Sequence, residues 1–203
     1  MQWAGFEVVG IDIKPHPNYP ADFIQADIHD LPVSIDDFDF VWASPPCQLW
    51  STSGNRWGVS QKQHHPNLIP LARKLLANHD YTVIENVPQA PLRPDLYLWG
   101  VQVGLDTLWR KRVFELSFWV WSLPKPKLEA GKYLCITSSM GAKNHYYKRV
   151  KEGKSGILHP IEYKHAMGIP ICQKISKDEV AEAVPPAYSE YIAREALRQM
   201  ETQ

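Results

Sequence analysis

The sequence predicts an α/β fold: a mainly parallel sheet with helices packed on its faces. Short apolar runs bounded by turn residues alternate with stretches of helical periodicity, the pattern of successive strand–helix units. The 203 residues, 44% hydrophobic and 22% charged, are enough for one hydrophobic core with room for a small appended lobe. No apolar run approaches the length of a membrane span, and no signal-peptide pattern opens the chain.

Taken in order, Gly5 followed by Phe6 to Asp12 reads as a helix stop and then a buried strand. Only four residues precede that stop, so the chain reads as starting inside a structural unit. Further strands are expected at Phe23 to Ala26, Phe38 to Ala43 and Tyr81 to Ile84. Between the last two, Leu68, Leu71, Leu75 and Leu76 keep helical spacing. Arg112 to Phe118 alternates as one more strand. From Val120 to about Pro160 the pattern breaks into Pro, Gly, Lys and aromatic residues, a loop-rich insertion with one strand near Tyr133 to Ile136. Ser176 and Glu179 form a capping-box pair, stapled by Ile175 and Val180, and open a short helix. After Pro185 and Pro186, the spacing of Tyr188, Ile192, Ala196 and Met200 marks a final amphipathic helix.

Cys47, Cys135 and Cys172 have neither the number of a disulfide framework nor the spacing of a zinc site, so no metal is expected and a reducing, cytoplasmic setting is. Net charge is zero, but it is divided. Residues 1–40 carry eight acidic groups against Lys14, a balance of −7, while residues 110–154 carry eleven basic groups against three acidic, a balance of +8. One end would repel phosphate and the other neutralise it; two solvated faces that merely differ are the plainer explanation.

Three short segments carry chemistry. Ala43-Ser44-Pro45-Pro46-Cys47-Gln48 follows a strand at the carboxyl end, where α/β sheets place ligands. Paired prolines stiffen the turn, and a thiol there is a candidate nucleophile; a buried small residue in a rigid turn is the alternative. Val83-Ile84-Glu85-Asn86-Val87-Pro88 puts a carboxyl group at the same rim, fit to protonate a ring nitrogen if desolvation raises its pKa, or merely to cap the next turn. In Trp109-Arg110-Lys111-Arg112 the two arginines alternate and are expected on one face, suited to a phosphate or a polarised carbonyl; a charged edge strand has the same composition.

Together and in this order the three resemble the cytosine-C5 DNA methyltransferase family, of phage or bacterial type. Pro45-Pro46-Cys47-Gln48 is similar to its nucleophile motif, Glu85-Asn86-Val87 to its Glu-Asn-Val motif, and Arg110 with Arg112 to the last two positions of its Gln-x-Arg-x-Arg motif, with Leu108 in place of Gln. Asp12 and Ile13 resemble the family's pair for the ribose and adenine of S-adenosylmethionine, and Asp27 and Ile28 its next adenine-contacting pair; Pro45 joins this cofactor group. Tyr163 to Gly168 and Ala183 to Ile192 resemble its last two motifs.

The resemblance implies a Rossmann-like S-adenosylmethionine-dependent methyltransferase sheet. Residues 1–119 would be the catalytic core, 120–160 a small target-recognition region, and 161–203 helices returning to the core. It implies a monomer acting on a cytosine swung out of DNA in a bacterial or phage-infected cell, with catalytic residues Cys47, Glu85, Arg110 and Arg112. Gln48, Ser51 and Arg56, on a loop closing over the base, and Lys143, Lys148 and Arg149 in the insertion would contact DNA. The same base chemistry serves RNA, so the polymer stays open. Nothing before Gly5 matches the family's glycine-rich cofactor loop, so a missing first strand and weak cofactor binding are expected. The competing readings are a DNA-binding remnant without turnover and, less favoured, a cysteine hydrolase using His64 or His65, for which no oxyanion loop is in evidence.

Overall fold

The computed structural model describes residues 1–51, 65–127, 160–170 and 172–202. Two sheets form. β1 (Val9–Asp12) and β2 (Asp22–Gln25) run parallel, with Val9 opposite Asp22 and Asp12 opposite Gln25. The second sheet holds β3 (Val41–Ala43), β4 (Thr82–Asn86), β5 (Leu96–Leu98) and β6 (Arg112–Leu116), in the order β3-β4-β6-β5. Among the described residues no hydrogen-bonded ladder joins the two sheets.

The expected strands are present, but the sheet is mixed rather than mainly parallel. β3 and β4 are parallel; β6 runs antiparallel to both β4 and β5. The cause is local. β5 reaches β6 through a single 3-10 turn (Gly100–Val103) and a short loop, and a connection without a crossover helix reverses direction. Gly100 is required there, because a Cβ would lie 2.6 Å from both the Cβ and the carbonyl oxygen of Leu108.

Helices cover both faces. On one, α1 (Ile69–Leu76) packs Ile69, Ala72 and Leu76 against Ile84, Val87 and Val113. On the other, α4 (Pro186–Met200) packs Tyr188 and Ile192 against Val83, Leu96, Leu98, Phe114 and Leu116. Fully burying a side chain of this size contributes roughly 1.5–3 kcal/mol, and β4, buried at every position, anchors both clusters. α2 (Pro160–Met167) and α3 (Lys177–Glu182) meet around Leu108, Tyr163, Met167 and Val180 in a satellite core. The capping box that opens α3 forms as expected: Glu179 N–H donates to Ser176 Oγ at 3.2 Å, and Ser176 N–H donates to Glu179 Oε2 at 2.6 Å. Gly5 ends the first 3-10 turn with φ 104°, a left-handed conformation suited to glycine. The strand expected near Tyr133 lies outside the described residues.

Candidate active site

The parallel pair β3 and β4 brings two of the three chemical segments to one rim. Leaving β3, the chain enters the proline turn with Pro45 buried and Cys47 half-buried. The Cys47 carbonyl accepts the backbone N–H of Trp50 at 3.0 Å and of Ser51 at 2.9 Å, so the nucleophile candidate opens a tight turn. From the end of β4, Asn86 Nδ2 donates to the Pro45 carbonyl at 2.9 Å, and its Oδ1 accepts the Val87 N–H at 2.9 Å. Sequence reasoning missed Asn86 as a positioning residue. Its signal was an amide at the end of a buried strand, which has to find partners once buried.

Glu85, one residue earlier on β4, is 5% exposed. It is paired: Arg112 Nε on β6 lies 2.8 Å from Glu85 Oε1. Glu85 and Arg112 share the sheet face that carries Val83 and Phe114. Burial pushes the Cys47 thiol above its ordinary pKa; Arg112 and Arg110 pull it down and Glu85 pushes it up. The structure thus gathers a thiol, a carboxyl group and a guanidinium within electrostatic reach of one another.

Arg110 lies within electrostatic reach of Arg112, Glu85 and Cys47, as expected, and is also tied elsewhere. It lies before β6 begins, and its Nη2 donates to the Ala181 carbonyl at 2.6 Å and the Ala183 carbonyl at 3.1 Å. The Tyr188 hydroxyl in turn donates to the Arg110 carbonyl. Burial, with Arg112 nearby, lowers the Arg110 pKa to about 10. Residue 110 therefore also fastens the α3–α4 junction to the strand that carries Arg112. Nothing local to residue 110 announces these bonds, because the carbonyls come from a distant segment.

The cofactor candidates sit on the smaller sheet. Asp12 ends β1, with its Oδ1 accepting the Lys14 N–H at 2.8 Å and its Oδ2 3.5 Å from His16 Nε2. Asp27 follows β2. Its Oδ1 accepts the His29 N–H at 2.9 Å and lies 2.7 Å from His29 Nδ1, contacts that hold the carboxyl below the usual carboxylate range. Ile13 is 61% exposed beside Asp12, and Ile28 is half-buried. Of the nucleic-acid candidates, Gln48 and Ser51 are half-buried, and Gln48 Oε1 is buried without a partner among the described residues. Arg56, Lys143, Lys148 and Arg149 lie outside the described residues. Among the described residues no cluster of side chains fits a metal ion, and no helix is long and apolar enough to cross a membrane.

A sheet with helices on both faces and this group at its rim defines an α/β methyltransferase-like fold. Three solved structures share it. The Schizosaccharomyces pombe (S. pombe) Dnmt2 methyltransferase is 15% identical with TM-score 0.57, covering 98% of this chain and 94% of that one. A Spodoptera frugiperda DNMT2 mutant is 14% identical with TM-score 0.52, covering 97% and 93%. The Entamoeba histolytica methyltransferase EhMeth is 13% identical with TM-score 0.51, covering 98% and 100%. No curated protein matches in sequence. Residues 16–93, which contain Cys47 and Glu85, match the family described as C-5 cytosine-specific DNA methylase.

Proposed function

We propose that the chain transfers a methyl group from S-adenosylmethionine to C5 of a cytosine extruded from DNA. The observation that carries this reading is the Glu85–Arg112 pair at 2.8 Å, whose charges act on the thiol of Cys47.

The residues on the smaller sheet suit the adenosine half of that cofactor. Asp12 and Asp27 close adjoining strands, offering acceptors for ribose hydroxyls and the adenine amino group, and exposed Ile13 offers an apolar face. Ile28 and Pro45 complete the group. Bound S-adenosylmethionine supplies an electrophilic methyl group on a sulfonium, which C5 accepts.

The chain's own residues make C5 able to accept it. The Cys47 thiolate adds to C6 of the ring, moving electron density toward C5. Glu85 engages N3 and the amino group and passes to N3 the proton given up by the thiol, so the added charge is neutralised as it develops. Arg112 holds the Glu85 carboxyl in place and steadies the O2 side of the ring. After methylation solvent water takes the C5 proton, N3 returns its proton to Glu85, the C6–S bond breaks, and the thiolate and the aromatic ring are restored. Gln48, next to the thiol with a buried acceptor unpartnered among the described residues, is assigned to the nucleic acid, as is Ser51.

Transfer of labelled methyl groups to an oligonucleotide containing cytosine tests the reading. Transfer by the native chain that is lost in Cys47→Ser is expected. Salt-dependent binding without transfer would instead make the chain a DNA-binding relative without turnover.

A further inference from the structure

We infer that a stripe of aromatic side chains beside this rim, Tyr97, Trp99 and Trp109 with Lys111, stacks an unpaired nucleotide adjoining the target base. The inference rests on the methyl-transfer reading and adds the form of the substrate to it: a strand whose neighbouring bases are free to leave their own stack.

The stripe follows from strand geometry. Tyr97 lies on β5 opposite Val113, and Leu98 opposite Arg112. Tyr97 and Trp99 alternate along the chain and so point to one side, where Lys111 meets them. Lys111 Nζ is 3.6 Å from the centre of the Tyr97 ring and 4.8 Å from that of Trp99. Trp109 extends the row, its ring centre 6.3 Å from that of Trp99, which is itself 6.3 Å from that of Tyr97. Trp99 is 7% exposed and backs the row, while Tyr97, Trp109 and Lys111 are half-buried and present part of their surface.

The stripe is continuous with the catalytic rim. Tyr97 packs on the apolar cluster that Cys47 and Trp50 also border, and Lys111 immediately precedes Arg112 at the same end of the sheet, on the face opposite to that of Glu85 and Arg112. Lys111 makes no ion pair with a described residue, and Lys125 is close enough to repel it; burial and that repulsion lower its pKa. A cation held over aromatic faces, with no carboxylate partner among the described residues, is complementary to a phosphate followed by a base. Ring faces with an interleaved cation are also how sequence-tolerant single-strand binders work, since every base has a π face and every nucleotide a phosphate. A strand edge kept soluble by one lysine explains the lysine but not three aromatic rings in a row beside it.

Fluorescence anisotropy with short oligonucleotides carrying one cytosine tests this on the full chain. For the native protein, an abasic residue beside the cytosine should weaken single-strand binding by about tenfold, within the range of one base–aromatic stack. Trp109→Leu and Tyr97→Leu should weaken binding to the intact strand similarly and leave little further loss from the abasic residue. Trp109→Phe should retain most of the affinity, and Lys111→Gln should reduce the slope of log affinity against log salt by about one phosphate contact. Melting temperatures identify variants that simply fail to fold, and the abasic strand tests the idea with the protein unchanged. Equal binding of intact and abasic strands by the native chain would overturn the inference, as would tighter binding of duplex than of single strand. If methyl transfer persists alongside either result, only this inference fails; if the native chain neither binds nor methylates any cytosine strand, the functional reading fails with it.

Discussion

At the scale of single residues, burial first and then the Arg112–Glu85 pair set how the thiol behaves. Cys47 has a raised pKa, so at neutral pH it rests mainly as the thiol, and its thiolate fraction grows as pH rises toward that value. Glu85 adds to the rise while Arg112 and Arg110 oppose it. Removing the negative charge in Glu85→Gln therefore lowers the Cys47 pKa. Alkylation of the thiol by iodoacetamide should become faster in this variant at a fixed pH between neutral and the native pKa. Methyl transfer should fall by about 10²–10⁴-fold, the usual contribution of a positioned proton donor. Arg112→Leu should slow both reactions, since it removes the largest charge that stabilises the thiolate and unpairs Glu85. Alkylation rates across a pH series, set beside transfer rates, check the opposite signs.

Elements matter here for what they fasten. Asn86 couples β4 to the turn after β3 by a buried hydrogen bond to Pro45. Asn86→Ala leaves that carbonyl and the Val87 N–H without their partner, a loss of about 1–3 kcal/mol measurable by urea unfolding. Transfer should fall further than the stability loss alone explains, because the turn that aims Cys47 is released. The junction between β5 and β6 is as intolerant of an added methyl group. Gly100→Ala forces Cβ against the Leu108 carbonyl at 2.6 Å and should lower stability by about 1–3 kcal/mol in the same assay. Several elements were legible in the sequence. The run ending at Asn86, the capping box at Ser176 and the spacing from Tyr188 to Met200 each announce their structure through local chemistry. Two were not. β5 has only Leu96 to Leu98 between turn residues, too short for alternation to show, and α2 directs its apolar side chains to a satellite core rather than to the sheet.

For the whole molecule, the reversal of β6 was also hidden, since direction is set by the connection and not by the strand's composition. Arg112 and Glu85 were legible as chemistry because motif and strand register agree, whereas the destination of Arg110 depended on carbonyls far along the chain. The division of charge, −7 in residues 1–40 and +8 in residues 110–154, acts at this largest scale. It should make oligonucleotide binding weaken steeply between about 50 and 200 mM salt, as counterions compete for phosphate, a trend an affinity titration checks directly. The most direct test of the central claim uses a cytosine whose C5 hydrogen is replaced by fluorine, with S-adenosylmethionine present. After methylation no proton can leave C5, so the C6–S bond cannot be released. A stable protein–oligonucleotide adduct whose attachment maps to Cys47 is the predicted result. Absence of an adduct under conditions where the strand is bound, or an adduct that persists in Cys47→Ala, would contradict it.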